Sequence, residues 1–315
     1  MNKKIKGYLK IARFDHWIKQ AFIFPGIIFA LFMERNISLE NLLTYISPII
    51  LGTLATSLIA SANYVINEWL DAEFDKYHPV KKNRPLLTAN LKPFYIVIEY
   101  LLFLIIGLIV AFYISKPVFL MESWLAIMGI IYNVKPLRSK DIPYIDVLSE
   151  SLNNAIRLLI GWFLISNTTL PPISIILGYW MGGAFLMAIK RFAEYRMIGD
   201  KKTASLYRKS FALYSEKALL ISSFFYALLS IFFCGVFLIK YKIELLLSIP
   251  FICGLFALYL DMAYKPDSAV QKPEKLFHEK GLMLYLILLS LLVLMLLFVK
   301  IPILNIFLNR TLIEF

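Results

Sequence analysis

The sequence predicts an all-α integral membrane protein, a bundle of about nine transmembrane helices with its N-terminus in the cytoplasm. Three observations predict it. Of 315 residues 60% are hydrophobic and the mean hydropathy is +0.72, where a soluble domain averages about half apolar. Charged residues amount to only 17% and fall between long apolar runs. Lys and Arg are also distributed very unevenly between alternate connections.

A helix needs about 20 mostly apolar residues to cross the hydrocarbon core. Such runs occupy approximately Trp17–Phe32, Tyr45–Trp69, Phe94–Ile114, Val118–Tyr132 and Tyr144–Ile165, then Ile173–Phe192, Ala218–Ile239, Ile243–Tyr264 and Gly281–Val299. The fourth is short, and the C-terminal piece after the ninth, to Phe315, either extends that span or follows the interface. No short apolar run with a small-residue cleavage site follows the basic segment Met1–Lys10, so the first span is expected to persist as a helix.

Of the 33 Lys and Arg, 26 lie at the start of the chain or in the connections between spans 2/3, 4/5, 6/7 and 8/9. Only 6 (Arg35, Lys116, Lys240, Lys242, Lys300 and Arg310) lie in the opposite connections and the C-terminus, and Arg157 falls inside the fifth span. The excess marks the cytoplasmic side. The long, charged connections share that side, so chemistry is expected there. No linker or low-complexity tract divides the chain, which reads as one transmembrane helical domain over residues 1–315.

The net charge of +12 suits anionic headgroups or an anionic substrate. No nucleic-acid recognition module interrupts the apolar pattern, which argues against nucleic acid. Cys234 and Cys253 sit inside apolar stretches and read as packing residues.

The end of the second span carries the first chemical signal. Asn67, Asp71 and Asp75 are spaced i, i+4, i+8 and form one helical stripe, with Glu68 beside it. Pro79 disfavours helix at His78, so the helix is expected to end near Asp75. Carboxylates one turn apart repel, and a helix C-terminus adds partial negative charge. A divalent cation such as Mg²⁺ would relieve both, since it takes a few carboxylates together with phosphate oxygens and water. Lys81, Lys82 and Arg84 follow between Pro79 and Pro85. Acids that hold metal beside bases that hold phosphate point to a diphosphate ester. The plainer alternatives are a solvated helix end neutralised by Lys76, Lys81 and Lys82, and an ordinary positive loop. Glu73 points off the stripe, and His78 reads as a helix-stop or hydrogen-bonding residue.

Four spans on, Lys190-Arg191-Phe192-Ala193-Glu194 ends another helix on the same side. Lys190 and Glu194 share a face and would as a surface ion pair contribute only about 0.3–0.5 kcal/mol.

The Asn67-Glu68-x-x-Asp71-x-x-x-Asp75 run resembles the NDxxDxxxD signature of the UbiA superfamily of intramembrane prenyltransferases, with Glu68 in place of an Asp. Within it, His78-Pro79-x-Lys81-x-x-Arg84-Pro85 and Lys190 to Glu194 resemble the HPxKxxRP and KRYAE segments of the decaprenyl-phosphate phosphoribosyltransferase branch. Arg13-Phe-Asp-His-Trp17-Ile-Lys19-Gln20 resembles its RPxxWxKN opening, without the Pro and with Gln for Asn, and Tyr132 to Arg157, with Lys135, Arg138 and Lys140, fits its fourth-to-fifth helix region.

The resemblance implies a UbiA-like bundle in a bacterial inner membrane, working from the cytoplasmic side in cell-envelope biosynthesis. It implies Mg²⁺ held by Asp71 and Asp75 with Glu68 and Asn67 assisting, and phosphates held by Lys81, Arg84 and Lys190. Glu194 would stabilise positive charge on the sugar, Lys19 or Arg13 would meet the acceptor headgroup, and Lys135, Arg138, Arg157 and Arg191 would line the site. Lys190 stands where ordinary prenyltransferases carry an acid, exchanging a metal contact for an ammonium–phosphate contact. The implied substrates are phosphoribosyl diphosphate and a polyprenyl phosphate, in contact with membrane lipid, and self-association stays open. The first rival is prenyl transfer from a prenyl diphosphate to an aromatic or lipid acceptor. The second, a non-enzymatic transporter, fits less well, because transporters concentrate charge at the midplane of broken helices. Asp146 and Arg157 lie about three turns apart, too far for a direct pair.

Overall fold

A computed structural model describes residues 3–34, 39–89, 91–265, 268–271, 273–276 and 278–308, and every regular element among them is helical. Arg35, Arg310 and the last seven residues, 309–315, lie outside the described residues.

Helix α1 (Lys3–Ile11) is followed by a 3₁₀ stretch, Phe14–Ile23, that runs straight into α2 (Phe24–Met33), and α3 (Leu39–Thr44) leads into the long α4 (Ile46–Asp75). α4 stops at Asp75, just before His78-Pro79, as the proline requires. After the short α5 (Pro85–Thr88), α6 (Pro93–Ile114) and α7 (Lys116–Asn133) are separated by Ser115 alone. That residue is extended, and its hydroxyl accepts from Val118 N at 3.3 Å, capping α7 while Pro117 occupies the first turn. α8 (Ile145–Phe163), α9 (Ile173–Ile198), α10 (Lys201–Tyr207), α11 (Glu216–Tyr241), α12 (Ile249–Tyr264), α13 (Pro273–Leu276) and α14 (Lys280–Phe298) complete the order.

Helices coincide with all of the apolar runs read from the sequence. Among the described residues seven segments are long and apolar enough to cross a membrane: Lys4–Met33, Leu42–Asp75, Pro93–Ile114, Ile173–Ile198, Glu216–Tyr241, Ile243–Tyr264 and Lys280–Phe298. α7 and α8 lie at the other two runs but are short, at 18 and 19 residues, and α8 carries Asp146, Glu150 and Arg157. Its polar side faces inward. The opposite case is α6, where Ile98, Leu102, Ile105, Ile109 and Phe112 form an exposed stripe at alternating four- and three-residue steps. A continuous apolar face of that kind matches a lipid environment.

α8 packs against α2, α7 and α9, while α4 packs against α6 and α7, and α9 against α11. The α2–α8 crossing depends on two glycines. A Cβ on Gly26 would lie 2.0 Å from Leu158 O, and one on Gly161 would lie 2.1 Å from Ile23 O. With no side chain at either position the two backbones approach directly, as small residues allow in membrane helices. Gly161→Leu is therefore expected to lower the thermal midpoint of detergent-purified protein, through overpacking of about 1–3 kcal/mol or more. Gly235→Ala, at a position with nothing within 4 Å, is the matched control and should hold or raise the midpoint.

Candidate active site

The last turns of α4 present Asn63, Asn67, Asp71 and Asp75 to a cavity of about 250 Å³. Glu150 and Arg157 of α8, Lys190 and Arg191 of α9, and Lys81, Arg84 and Arg208 from the connections line the same space. The stripe read from the sequence thus shares a cavity with Lys190 and Arg191 of the second motif.

The acids are not left to repel one another. Asp71 accepts from Lys140 Nζ at 2.5 Å, Arg138 Nη2 at 2.9 Å and Asn67 Nδ2 at 3.2 Å. Asp75 accepts from Arg84 Nη1 at 2.5 Å. The stripe is relieved by more than the expected divalent ion: the connections α4–α6 and α7–α8 supply cations of their own, Arg84 and then Arg138 and Lys140 in place of Lys76 and Lys82. Asn133 Oδ1 fixes this arrangement by accepting from Asn67 Nδ2 at 2.5 Å and Lys140 Nζ at 2.7 Å. Burial pushes the Lys140 ammonium down to about 8, against the opposing pull of Asp71.

Glu194 is bound on both oxygens. Oε1 accepts from Lys81 Nζ at 2.6 Å and Tyr207 Oη at 3.0 Å, and Oε2 lies 3.5 Å from Arg191 Nη1. His78 Nδ1 accepts from the backbone N–H groups of Val80 and Lys81, both at 3.1 Å, which assigns the ring proton to Nε2, 3.5 Å from Glu194 Oε1. Burial lowers the pKa of both His78 and Lys81, and Glu194 opposes this in each case. Lys190 and Glu194 do not form the surface pair that their spacing allows. Lys190 faces Glu150 Oε1 at 3.5 Å, and Arg191, 1% exposed, bonds Glu150 and donates to Tyr132 Oη at 3.0 Å.

Other expected site residues divide. Lys19 lines the cavity and donates to Tyr64 Oη at 3.3 Å. Arg157 lines it and donates to Gln20 Oε1 at 2.9 Å; it does not meet Asp146. Arg138 is buried behind Asp71, outside the main cavity. Glu68 is also outside it, with Oε2 4.0 Å from Arg84 Nε and Oε1 buried with no hydrogen-bond partner among the described residues. Glu194 borders a smaller vestibule with His78, Lys81 and Lys190. Lys135 is exposed beyond the end of α7 and lines neither space.

Glu150, Tyr207 and Arg208 were not anticipated as site residues. Glu150 had a signal: it lies four residues after Asp146 and seven before Arg157, on one stripe of α8. Tyr207 and Arg208 had none: Tyr207 ends the seven-residue α10 and Arg208 follows it, and so short a helix within a charged connection shows no apolar periodicity.

The donor set fits a hard divalent cation bound together with ligand oxygens. Asp71, Asp75 and Asn67 offer oxygen to one cavity. Among the described residues no three His, Cys, Asp or Glu side chains converge to form a closed cage. Mg²⁺ characteristically needs only one or two carboxylates and completes its shell with phosphate and water.

This architecture is that of a membrane-embedded helical bundle with an acid-and-base-lined cavity at the helix ends. Residues 23–281 match the UbiA prenyltransferase family, and the chain belongs to that family, whose members are transferases. It is an integral membrane protein.

It is 25% identical over 207 residues to the nodulation protein NoeC of Azorhizobium caulinodans, covering 65% of this chain and 63% of that one. It is 25% identical to a protoheme IX farnesyltransferase of Bacillus mycoides over 56% of this chain and 57% of the relative. It is 24% identical to the decaprenyl-phosphate phosphoribosyltransferase of Mycobacterium tuberculosis over 67% of each. The matches thus span somewhat under two thirds of the first two relatives' length. A UbiA homologue from Archaeoglobus fulgidus, bound to DMAPP and Mg²⁺, has the same fold, with a TM-score of 0.67 at 20% identity over 91% of this chain and 99% of that one.

The two backbone bonds accepted by His78 predict a pH dependence. Its ordinary value is 6.5 and its folded value is lower, so the stability held by the neutral ring is complete above that point and is lost as pH falls through the folded value. Acidifying from about pH 7.5 to about 5.5 is expected to lower the thermal midpoint more in the parent than in His78→Asn. Equal slopes would show that the neutral ring contributes nothing.

Proposed function

We propose that the protein transfers 5-phosphoribose from phosphoribosyl diphosphate to a polyprenyl phosphate and releases diphosphate. The observation that carries this reading is the polarity of the cavity along α4 and α8, where Asn63, Asn67, Glu150, Asn153, Asn154 and Arg157 line it from mouth to interior. Beyond its diphosphate, a prenyl donor offers such a wall only hydrocarbon, whereas ribose hydroxyls and a 5-phosphate can bond it. The similarity to a decaprenyl-phosphate phosphoribosyltransferase supports the same reading.

In this reading Asp71 and Asp75, with Asn67, would hold Mg²⁺, which would offset the charge of the diphosphate leaving group. Lys190, Arg191, Arg208, Lys81 and Arg84 bind phosphate oxygens. The C1–oxygen bond to diphosphate breaks, an oxygen of the acceptor phosphate bonds to C1, and positive charge develops on the sugar between these events. The acceptor is already anionic near neutral pH, so no side chain need remove a proton. Glu150, which borders the cavity beside Lys190, suits the stabilising role first assigned to Glu194. Glu194 instead orients Lys81 and Arg191. Glu68 lies off the cavity and is left out of the metal set. The polar end of the bundle is the cytoplasmic one, in a bacterial inner membrane, with residues 1–315 acting as one domain.

Prenyl transfer is the second reading. Phe22, Leu125, Leu186 and Met187 give the cavity an apolar side, and the Archaeoglobus structures hold prenyl diphosphates. Membranes containing the protein, given labelled phosphoribosyl diphosphate and a polyprenyl phosphate, are expected to form a labelled lipid in Mg²⁺. Product formed only from a prenyl diphosphate would establish the second reading instead. Asp71→Asn should cut turnover by about 10²-fold or more with the protein still folded, and chelation of divalent ions should do the same reversibly.

A further inference from the structure

Asp146, in the first turn of α8, accepts from four side chains among the described residues, and the mechanism above does not use it. Its side chain is 0% exposed. Oδ1 accepts from Tyr214 Oη at 2.7 Å. Oδ2 accepts from Ser210 Oγ at 3.1 Å, Arg208 Nη1 at 3.3 Å and Arg191 Nε at 3.4 Å. Three of these four donors lie in the connection between α9 and α11, and the fourth, Arg191, lies on α9 itself. Tyr214 Oη also accepts from Tyr144 N at 2.5 Å, so the hydroxyl that meets Asp146 is itself tied to the backbone just before α8.

Both guanidiniums border the main cavity, whereas Asp146 does not. Arg208 is a long side chain carried on a connection; its Nη1 also donates to Tyr132 Oη at 3.4 Å, but its ion pair among the described residues is with Asp146. Arg191 is already shared with Glu150 and Glu194, so Asp146 fixes its remaining donor direction.

We propose that Asp146 is a positioning residue: its buried carboxylate orients Arg208 and Arg191 along the cavity wall, so that the diphosphate-binding cations are set before the ligand arrives. This rests on reading the cavity as a diphosphate site. It does not depend on which diphosphate ester is the donor, because inorganic diphosphate is the product of either transfer. The physical basis is that a fork held on one side by carboxylate loses little freedom when its other N–H groups meet phosphate.

The test is calorimetric binding of inorganic diphosphate in Mg²⁺ to the detergent-purified full chain. Asp146→Asn keeps the size of the side chain and an acceptor for Tyr214 but removes the charge that orients the guanidiniums. It is expected to weaken diphosphate binding about tenfold and to raise KM for the diphosphate donor more than it lowers kcat. Tyr214→Phe, which removes a scaffolding bond and leaves the charge, should stay within about twofold of the parent. Combining Asp146→Asn with Arg208→Lys should cost less than the sum of the two, because each disables the same fork.

Parent-like binding by folded Asp146→Asn would overturn the proposal, and so would an equal loss in Tyr214→Phe. If Asp146→Asn does not fold, Arg208→Lys decides alone. It keeps the charge and loses the fork, so an unchanged affinity would overturn the proposal and a tenfold loss would support it. A parent protein that binds no diphosphate would overturn the functional reading as well, whereas normal binding without sugar transfer would leave this inference standing.

Discussion

A charge taken out of water must meet its counter-charge, and that requirement organises the polar end of this bundle. Asp146, Glu194 and Arg191 are each nearly or fully inaccessible. Removing one partner from such a pair costs about 3–5 kcal/mol, because the other is left buried and uncompensated. The connecting segments are held by the same bonds. Lys81 and Arg84 tie the α4–α6 connection to Glu194 and Asp75, Arg138 and Lys140 tie the α7–α8 connection to Asp71, and Arg208 ties the α9–α11 connection to Asp146. Loop structure and site chemistry therefore rest on one set of ion pairs.

This double use has an electrostatic consequence. Lys81 and Arg84 border the cavity while also bonding Glu194 and Asp75. An anionic ligand entering there competes with those carboxylates for the same N–H groups. Compact pairs on short tethers can share donors without unfolding, since a guanidinium has five and an ammonium three. The cavity is thus poised to exchange internal counter-charges for those of a ligand, with no charge crossing apolar space unaccompanied.

The sequence disclosed what periodicity controls. The apolar runs located the helices, and the four-residue spacing of Asn67, Asp71 and Asp75 put them on one face, because a helix leaves no other choice. Pro79 marked the end of α4 correctly. Spacing failed where tertiary partners compete with local ones. Lys190 and Glu194 are neighbours on a helix, yet each found a better partner from elsewhere in the chain, Glu150 and Lys81. Likewise the repulsion within the acid stripe was legible, but its relief by Lys140 and Arg138 was not, since those bases lie far along the chain. Lys135 shows the converse error: proximity in sequence to Arg138 and Lys140 did not carry it inward, as it lies on the exposed side of its connection.

The ambiguity of α8 as a membrane span has the same origin as the shape of the cavity. Gly161 brings one side of this helix onto α2, while Glu150, Asn153, Asn154 and Arg157 on another side descend about two turns into the interior. A helix with those residues could not face lipid, where each charge would cost several kcal/mol, so it takes the centre of the bundle and is wrapped by more apolar neighbours. The polar side of α8 then shares the cavity with the apolar side chains of Phe22, Leu125 and Met187. A space that is charged on one wall and apolar on another selects amphiphiles over wholly polar or wholly apolar molecules, because either of those would leave one wall unsatisfied.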